Sequence, residues 1–319
     1  MVGLVRARPL GLRPVRDRAR GLGVLAEHGG SSVVQIDEGK DEFTAYSRFE
    51  LGSITKTMVA ALLGDAVGRG ECSLDTTVGE LLGGRVGSVS GTTLLQLATH
   101  TSGLPRLPVG YKPSDRSDPY ADLDVEGLLT GLAALGPLTP GQRRYSNLGF
   151  ILLALLLERI TSADFEPLLQ ERLLRPVGMA NTTTQLPAEG RLIGYRKGLP
   201  TPWWTGLPGA GGVTSTLEDM GAYLRAVLTP EQVSDRFAAA MDLATRLHLE
   251  GKAAMGLAWM HQGGGWWHNG STYGFHTFAC IFRPTSSAVF LVTNAGEPRA
   301  KLDRTGFRII TKLARGQII

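Results

Sequence analysis

An α/β (α+β) fold is predicted for this 319-residue chain by three observations: short apolar runs bounded by turn residues near its start, more of them near its end, and a long middle stretch of helical periodicity. Strands at both ends with helices between them predict a discontinuous α/β domain, residues 1–60 and 208–319, interrupted by a helical domain, residues 61–207. With 43% hydrophobic residues the chain can bury a large core without disulfide or metal staples.

Leu22 to Glu27 and Ser32 to Ile36 are apolar runs separated by Gly29-Gly30, which predicts a β-hairpin. A loop through Asp37 to Arg48 follows. From Ser53 the pattern turns helical, with Met58, Val59, Leu62, Leu63 and Val67 at three- and four-residue spacing and Gly68 and Gly70 as stops. Between Cys72 and Leu207 helices are expected at Val78 to Leu82, Thr93 to Thr99, Val125 to Leu135, Leu148 to Ile160 and Phe165 to Leu174. Thr216 to Leu228, with Glu218 and Asp219 in its first turn, is another helix. Strands return at Met255 to Met260, Phe275 to Phe282 and Ala288 to Thr293, and Lys301 to Ala314 is a closing helix.

Composition excludes several functions. The net charge is +4, arginine outnumbers lysine, and the basic cluster Arg6, Arg8, Arg13, Arg16, Arg18 and Arg20 has no interleaved aromatics, so it reads as a solvated terminal helix or tail and nucleic-acid binding is not expected. The longest apolar run, Phe150 to Leu157, ends in Glu158-Arg159, far short of the roughly 20 residues that span a bilayer. Arginines interrupt every candidate for a secretory h-region, so cytoplasmic residence is the expectation. Cys72 and Cys280 are read as reduced thiols, and no metal-ligand spacing occurs, so neither metal nor cofactor is expected. Oligomeric state is not legible.

The sharpest local signal is Phe-Glu-Leu-Gly-Ser-Ile-Thr-Lys-Thr-Met, residues 49–58. Ser53 and Lys56 are three residues apart, nearly one turn, and would share a face at the mouth of an apolar helix, beside its free N–H groups and positive dipole end. A lysine there is a candidate for a depressed pKa, and hence for a neutral base that takes the serine proton. Being half neutral at pH 7 requires a fall of about 3 from about 10.4, or about 4 kcal/mol, more than one helix turn supplies. The plainer alternative makes Ser53 an N-cap and Lys56 a solvated side chain.

Two more constellations follow. In an extended Tyr145-Ser146-Asn147 the phenol and the amide would point the same way, one able to relay a proton and the other to orient a carbonyl. His268-Asn269-Gly270-Ser271-Thr272 could bring an exposed strand and a free N–H to a substrate, or could be a hairpin turn at Asn-Gly. His100-Thr101-Ser102-Gly103 reads as a structural helix end. The pairs Trp203-Trp204 and Trp266-Trp267 read equally as core, rim or pocket wall, with Trp203 and Trp204 carried as wall candidates.

S-x-x-K, Y-x-N and a basic residue followed by x-G occur in that order, and here the sequence resembles the serine β-lactamase and penicillin-binding protein superfamily, in its class C β-lactamase-like branch. The segments that carry the resemblance are Phe49 to Thr57, Thr92 to Pro105, Tyr145 to Phe150, Gly211 to Met220 and His268 to Phe275, within a likeness covering roughly residues 20–315. It implies an antiparallel sheet flanked by helices, packed on an all-helical domain, with the site in the cleft between them. It also implies Ser53 as acylated nucleophile, Lys56 as its base, Tyr145 as proton shuttle, Asn147 as holder of the acyl amide, and the Ser53 and Ser271 N–H groups as oxyanion hole. His268 then joins the catalytic candidates, and Asn269, Gly270 and Ser271 the substrate-binding ones.

Where β-lactamases of that branch have Lys-Thr-Gly, this chain has His268-Asn269-Gly270, so a side chain with an ordinary pKa near 6.5 replaces a permanent cation and attraction for a β-lactam carboxylate should weaken. The expected function is a serine hydrolase acting through an acyl-enzyme on a small ester, amide or peptide, with weak β-lactamase activity as a side reaction. One alternative passes the acyl group to an amine or alcohol. Another keeps the fold as a non-catalytic binding or sensor protein, against which the joint presence of Ser53, Lys56, Tyr145 and Asn147 argues.

Overall fold

A computed structural model describes residues 21–37, 42–295 and 299–317. The arginine-rich stretch from Arg6 to Arg20 lies outside them.

Six antiparallel strands make the main sheet: β1 (Leu22–His28), β2 (Ser31–Asp37), β3 (Met260–Gln262), β4 (Gly265–Ser271), β5 (His276–Phe282) and β6 (Ser287–Thr293), in the order β2-β1-β6-β5-β4-β3. Both chain ends therefore build it, since β1 pairs with β6 from Leu22 opposite Thr293 to His28 opposite Ser287. The central strands are apolar on consecutive residues because helices cover both faces. On one face Val24, Phe278, Cys280 and Leu291 meet Leu302, Ile309 and Leu313 of the closing helix. On the other, Leu25, Ile281 and Phe290 join the principal core, which includes Leu217 and Leu224 of the helix Leu217–Leu228. The fold is of the mixed α/β kind, an antiparallel sheet flanked by helices.

The remaining core gathers around α1 (Thr55–Gly68), whose residues from Thr55 to Ala66 are all buried, among them Lys56 and Asp65. A helix apolar on all sides is a central helix. It packs against α2 (Asn147–Thr161) and α3 (Asp235–Ala244). Among the described residues no helix is long and apolar enough to cross a membrane. Cys72 and Cys280 are both free, one partly and one fully buried.

Several expectations change. Met255 to Met260 is an irregular segment with isolated bridges, and only Met260–Gln262 runs as a strand. The segment Gly265–Ser271 is itself a strand paired with β5. Asn269-Gly270 thus lies inside a strand, and the hairpin turns at residues 272–275 instead. Helix α3, capped by Ser234 accepting from the Phe237 N–H, had no forecast, nor had the short pair Gly194–Arg196 with Leu199–Thr201. Ser53 sits in a 3-10 turn, Gly52–Ile54, that feeds α1 directly.

Candidate active site

The site is assembled where α1 begins. Phe49–Glu50 pairs with Thr214–Ser215, and Leu51 N–H donates to Val213 O at 2.9 Å, so the incoming chain is anchored up to the residue before the turn. Gly52 then adopts φ +54°, a left-handed conformation that glycine takes without strain. The turn lies directly against β4. A Cβ on Gly270 would fall on the Leu51 carbonyl oxygen and the Thr277 hydroxyl, and Thr277 Oγ1 donates to that same carbonyl at 2.7 Å. Glycine at 270 is therefore the condition for bringing Ser53 beside Ser271.

Ser53 makes no capping bond and Lys56 is 0% exposed, which removes both halves of the N-cap alternative. Lys56 Nζ donates to Ser53 Oγ at 3.1 Å and to the Ala210 carbonyl, and lies 5.1 Å from the centre of the Tyr145 ring and 5.6 Å from that of Phe150. Burial pushes the Lys56 pKa well below the usual lysine value, and the positive charge of Arg106 adds to the effect. The deficit left by one helix turn is thus made up chiefly by desolvation.

Tyr145 precedes α2. Its neighbour Ser146 caps that helix, accepting from Gly149 N–H at 2.9 Å while donating to Pro105 O at 2.7 Å. Asn147 opens the helix fully buried, donates its side-chain N–H to Tyr120 OH, and leaves Oδ1 without a partner. His100 holds this junction together: its Nδ1 accepts from Ser146 N–H at 3.1 Å and its ring lies 4.3 Å from that of Tyr145. Because Nδ1 accepts, the proton of this imidazole is on Nε2. Burial above all holds the His100 pKa well below its ordinary value.

Strand alternation sorts the third motif. His268 and Gly270 face the site and Asn269 faces the other way, its amide donating to Asp303 Oδ2 of the closing helix at 2.8 Å. Asn269 is therefore removed from the substrate-binding set. His268 is 1% exposed, its Nδ1 donates to the Asn269 carbonyl at 2.6 Å, and its ring centre is 6.4 Å from that of Tyr145. Burial, reinforced by the Lys56 charge, drops its pKa to about 3, so the imidazole is neutral and the ordinary value expected from sequence does not hold.

The tryptophans divide. Trp203 is in the core, edge-on to Phe275 with ring centres 5.7 Å apart, and is not part of the wall. Trp204 does line a recess beside Ser271, with its Nε1 donating to Ser117 O at 2.7 Å and its ring against Tyr120. Trp266 and Trp267 project from opposite faces of β4, one toward His261 and the other toward Phe278 and Phe307.

Sequence reasoning missed Glu50, Arg106, Tyr120 and the Ala210 carbonyl. Glu50 is 2% exposed and ties two segments to the site, accepting from Trp204 N–H at 2.6 Å and from Thr272 Oγ1 at 2.7 Å. Burial raises its pKa to about 7 against the opposing effect of those bonds. An acidic residue two positions before a glycine-serine turn is the only sequence sign of it. Among the described residues no group of three acidic, histidine or cysteine side chains is placed to hold a metal.

The β-lactamase family model matches residues 12–311. A D-alanyl-D-alanine-carboxypeptidase/endopeptidase, AmpH, of Escherichia coli is 28% identical over 265 residues, covering 73% of this chain and 69% of that protein. A β-lactamase of Escherichia coli is 33% identical over 205 residues, covering 62% of this chain and 52% of its own length. Penicillin-binding protein 4 of Amycolatopsis lactamdurans is 26% identical over 251 residues, covering 72% of this chain and 64% of its own.

Proposed function

From the premise that the chain belongs to the β-lactamase family, we propose that it is a serine hydrolase that cleaves an ester or amide through an acyl-enzyme on Ser53. The observation that carries this reading is the Lys56 amine, fully buried, 3.1 Å from Ser53 Oγ and with its charged form disfavoured. In the neutral form one Lys56 N–H remains on the Ala210 carbonyl and the lone pair accepts the Ser53 proton as Oγ attacks the substrate carbonyl carbon. The developing oxyanion is received by the backbone N–H groups of Ser53 and Ser271, which the close approach of Gly52 to β4 brings together. The proton then passes by way of Tyr145, whose ring adjoins Lys56, to the leaving group, and the bond to that group breaks. Water enters by the reverse route and frees Ser53.

Asn147 orients the acyl group: its amide nitrogen is held by Tyr120, and its carbonyl oxygen, buried without a partner, is an acceptor for a substrate N–H. His268, neutral, supplies shape and a lone pair at Nε2 rather than charge. The carboxypeptidase and β-lactamase names of the relatives agree with cleavage of small amide substrates.

The test is intact-mass analysis after exposure to an activated ester or a penicillin. A covalent adduct on the protein that is missing in Ser53→Ala supports the reading. A wild type that forms no adduct and turns over no activated ester refutes it.

A further inference from the structure

The recess beside Ser271 has a volume of about 430 Å3, and its wall holds three arginines, Arg106, Arg116 and Arg196, and, among the described residues, no acidic side chain. Its other landmarks are Tyr120, which holds the Asn147 amide, and Trp204. Arg106 stands over the Tyr145 ring, Cζ 5.7 Å from its centre, and Arg196 over the Tyr273 ring at 4.4 Å. Arg106 and Arg116 have no ion-pair partner among the described residues.

The carboxylates nearest in sequence are occupied elsewhere. Asp115 accepts from Ser117 N–H and Oγ, Asp118 from Thr205 N–H and Oγ1, and Asp122 from Ser114 N–H. Behind Thr272, Glu50 is partly protonated near neutral pH, so it does not contribute a full opposing charge. Three guanidinium groups lining one recess, with no carboxylate among the described residues of its wall, match one ligand chemistry, an anionic oxygen group taken in fork geometry. By contrast, a recess of similar size between α1 and α3 holds Asp65, which pairs with its Arg69 and Arg172, and touches none of the motif residues.

We propose that this recess is an anion-binding subsite that selects substrates carrying a carboxylate at the far end of the acyl group. The proposal rests on the acyl-enzyme reading, because it is Asn147, linked to the recess through Tyr120, that assigns this side to the acyl part. A monoacyl group of a dicarboxylic acid is the simplest substrate of that class.

The experiment compares the 4-nitrophenyl monoester of adipic acid with 4-nitrophenyl hexanoate, two esters alike in leaving group and chain length. Rates are corrected for spontaneous hydrolysis with a Ser53→Ala blank. The charged ester should have at least about tenfold higher kcat/KM at low salt, an advantage that shrinks as salt is added. Arg116→Gln and Arg196→Gln should each cut the charged-to-neutral ratio about tenfold, and Arg116→Lys should retain part of it. Because the ratio is read within each variant, a general loss of activity cancels. A ratio at or below one in a wild type that turns over the hexanoate overturns the subsite and leaves the hydrolase intact, and so does a ratio that neither glutamine variant lowers. If neither ester is turned over and intact mass shows no adduct on Ser53, the hydrolase reading itself fails and the subsite with it.

Discussion

Gly52 lies so close to Ser271 that a Cβ on Gly52 would sit 2.5 Å from the Ser271 backbone nitrogen. The two backbone N–H groups assigned to the oxyanion are those of Ser271 and of the residue after Gly52. Their spacing is therefore set by the missing side chain and by a φ of +54° that an L-residue adopts only with strain. Gly52→Ala must push the turn off β4. Losing one oxyanion donor costs about 10²-fold in kcat, and that is the expected fall for this variant, with a smaller change in KM. Steady-state kinetics on an activated ester, with circular dichroism to verify folding, reads it. A Gly52→Ala enzyme of wild-type kcat would sink the oxyanion assignment.

Lys56→Arg tests the base. A guanidinium stays charged at any accessible pH and cannot take the Ser53 proton, and at this fully buried position it would be cut off from solvent. Turnover of an activated ester should drop by about 10²- to 10⁴-fold, the usual contribution of a positioned base. Retention of more than a tenth of the activity would show that another group accepts the proton.

Glu50→Gln tests a buried acid. Its folded pKa, about 7, is above the ordinary carboxyl value of about 4.5, so the fold prefers the protonated form. Its contribution is unpenalised below about pH 4.5 and becomes progressively unfavourable as pH rises from there through 7. Glutamine keeps an acceptor for Trp204 N–H and cannot ionise. The variant should be more stable than wild type at pH 8 by about 3 kcal/mol, with the difference gone at pH 4.5. Urea midpoints of both proteins at the two pH values provide the comparison, and an equal difference at both would contradict it.

The local parts of this site were legible because they depend on short spacings. Ser53 and Lys56 meet because three residues make nearly a turn, and the hairpin at Gly29-Gly30 forms because both glycines take positive φ. Asn269 was misjudged because Gly265 to Ser271 carries no simple apolar alternation: with both faces covered, tryptophans point each way, and Asn-Gly imitates a turn. Contacts between distant segments were invisible for another reason. Ala210 lies 154 residues from Lys56, and Glu50 meets Thr272 across 222 residues, so no window of sequence could place them together. The resemblance to a family singled out a candidate nucleophile, yet it could not show that its third motif begins with a neutral, buried imidazole or that arginines line a neighbouring recess.

His268 works against Glu50. Its folded pKa, about 3, is below the ordinary histidine value of about 6.5, so the fold prefers the neutral ring. Its contribution is whole above about pH 6.5 and is lost as pH falls from there toward 3. From pH 6.5 down to 4.5 the folded protein therefore binds one fewer proton at His268 and one more at Glu50 than the unfolded chain, and the two slopes cancel. The pair alone gives wild type nearly flat stability across that window and a decline below it. Single variants unmask each slope: Glu50→Gln should lose stability steadily from pH 6.5 downward, whereas His268→Asn should gain it, each by about 1.4 kcal/mol per pH unit at most. The double variant should be flat again. Urea titrations at pH 6.5, 5.5 and 4.5 on the four proteins decide the matter, because only slopes are compared and the packing that the imidazole itself provides shifts all three points together. Parallel slopes in wild type and His268→Asn would mean that the imidazole of His268 is not held neutral by its burial.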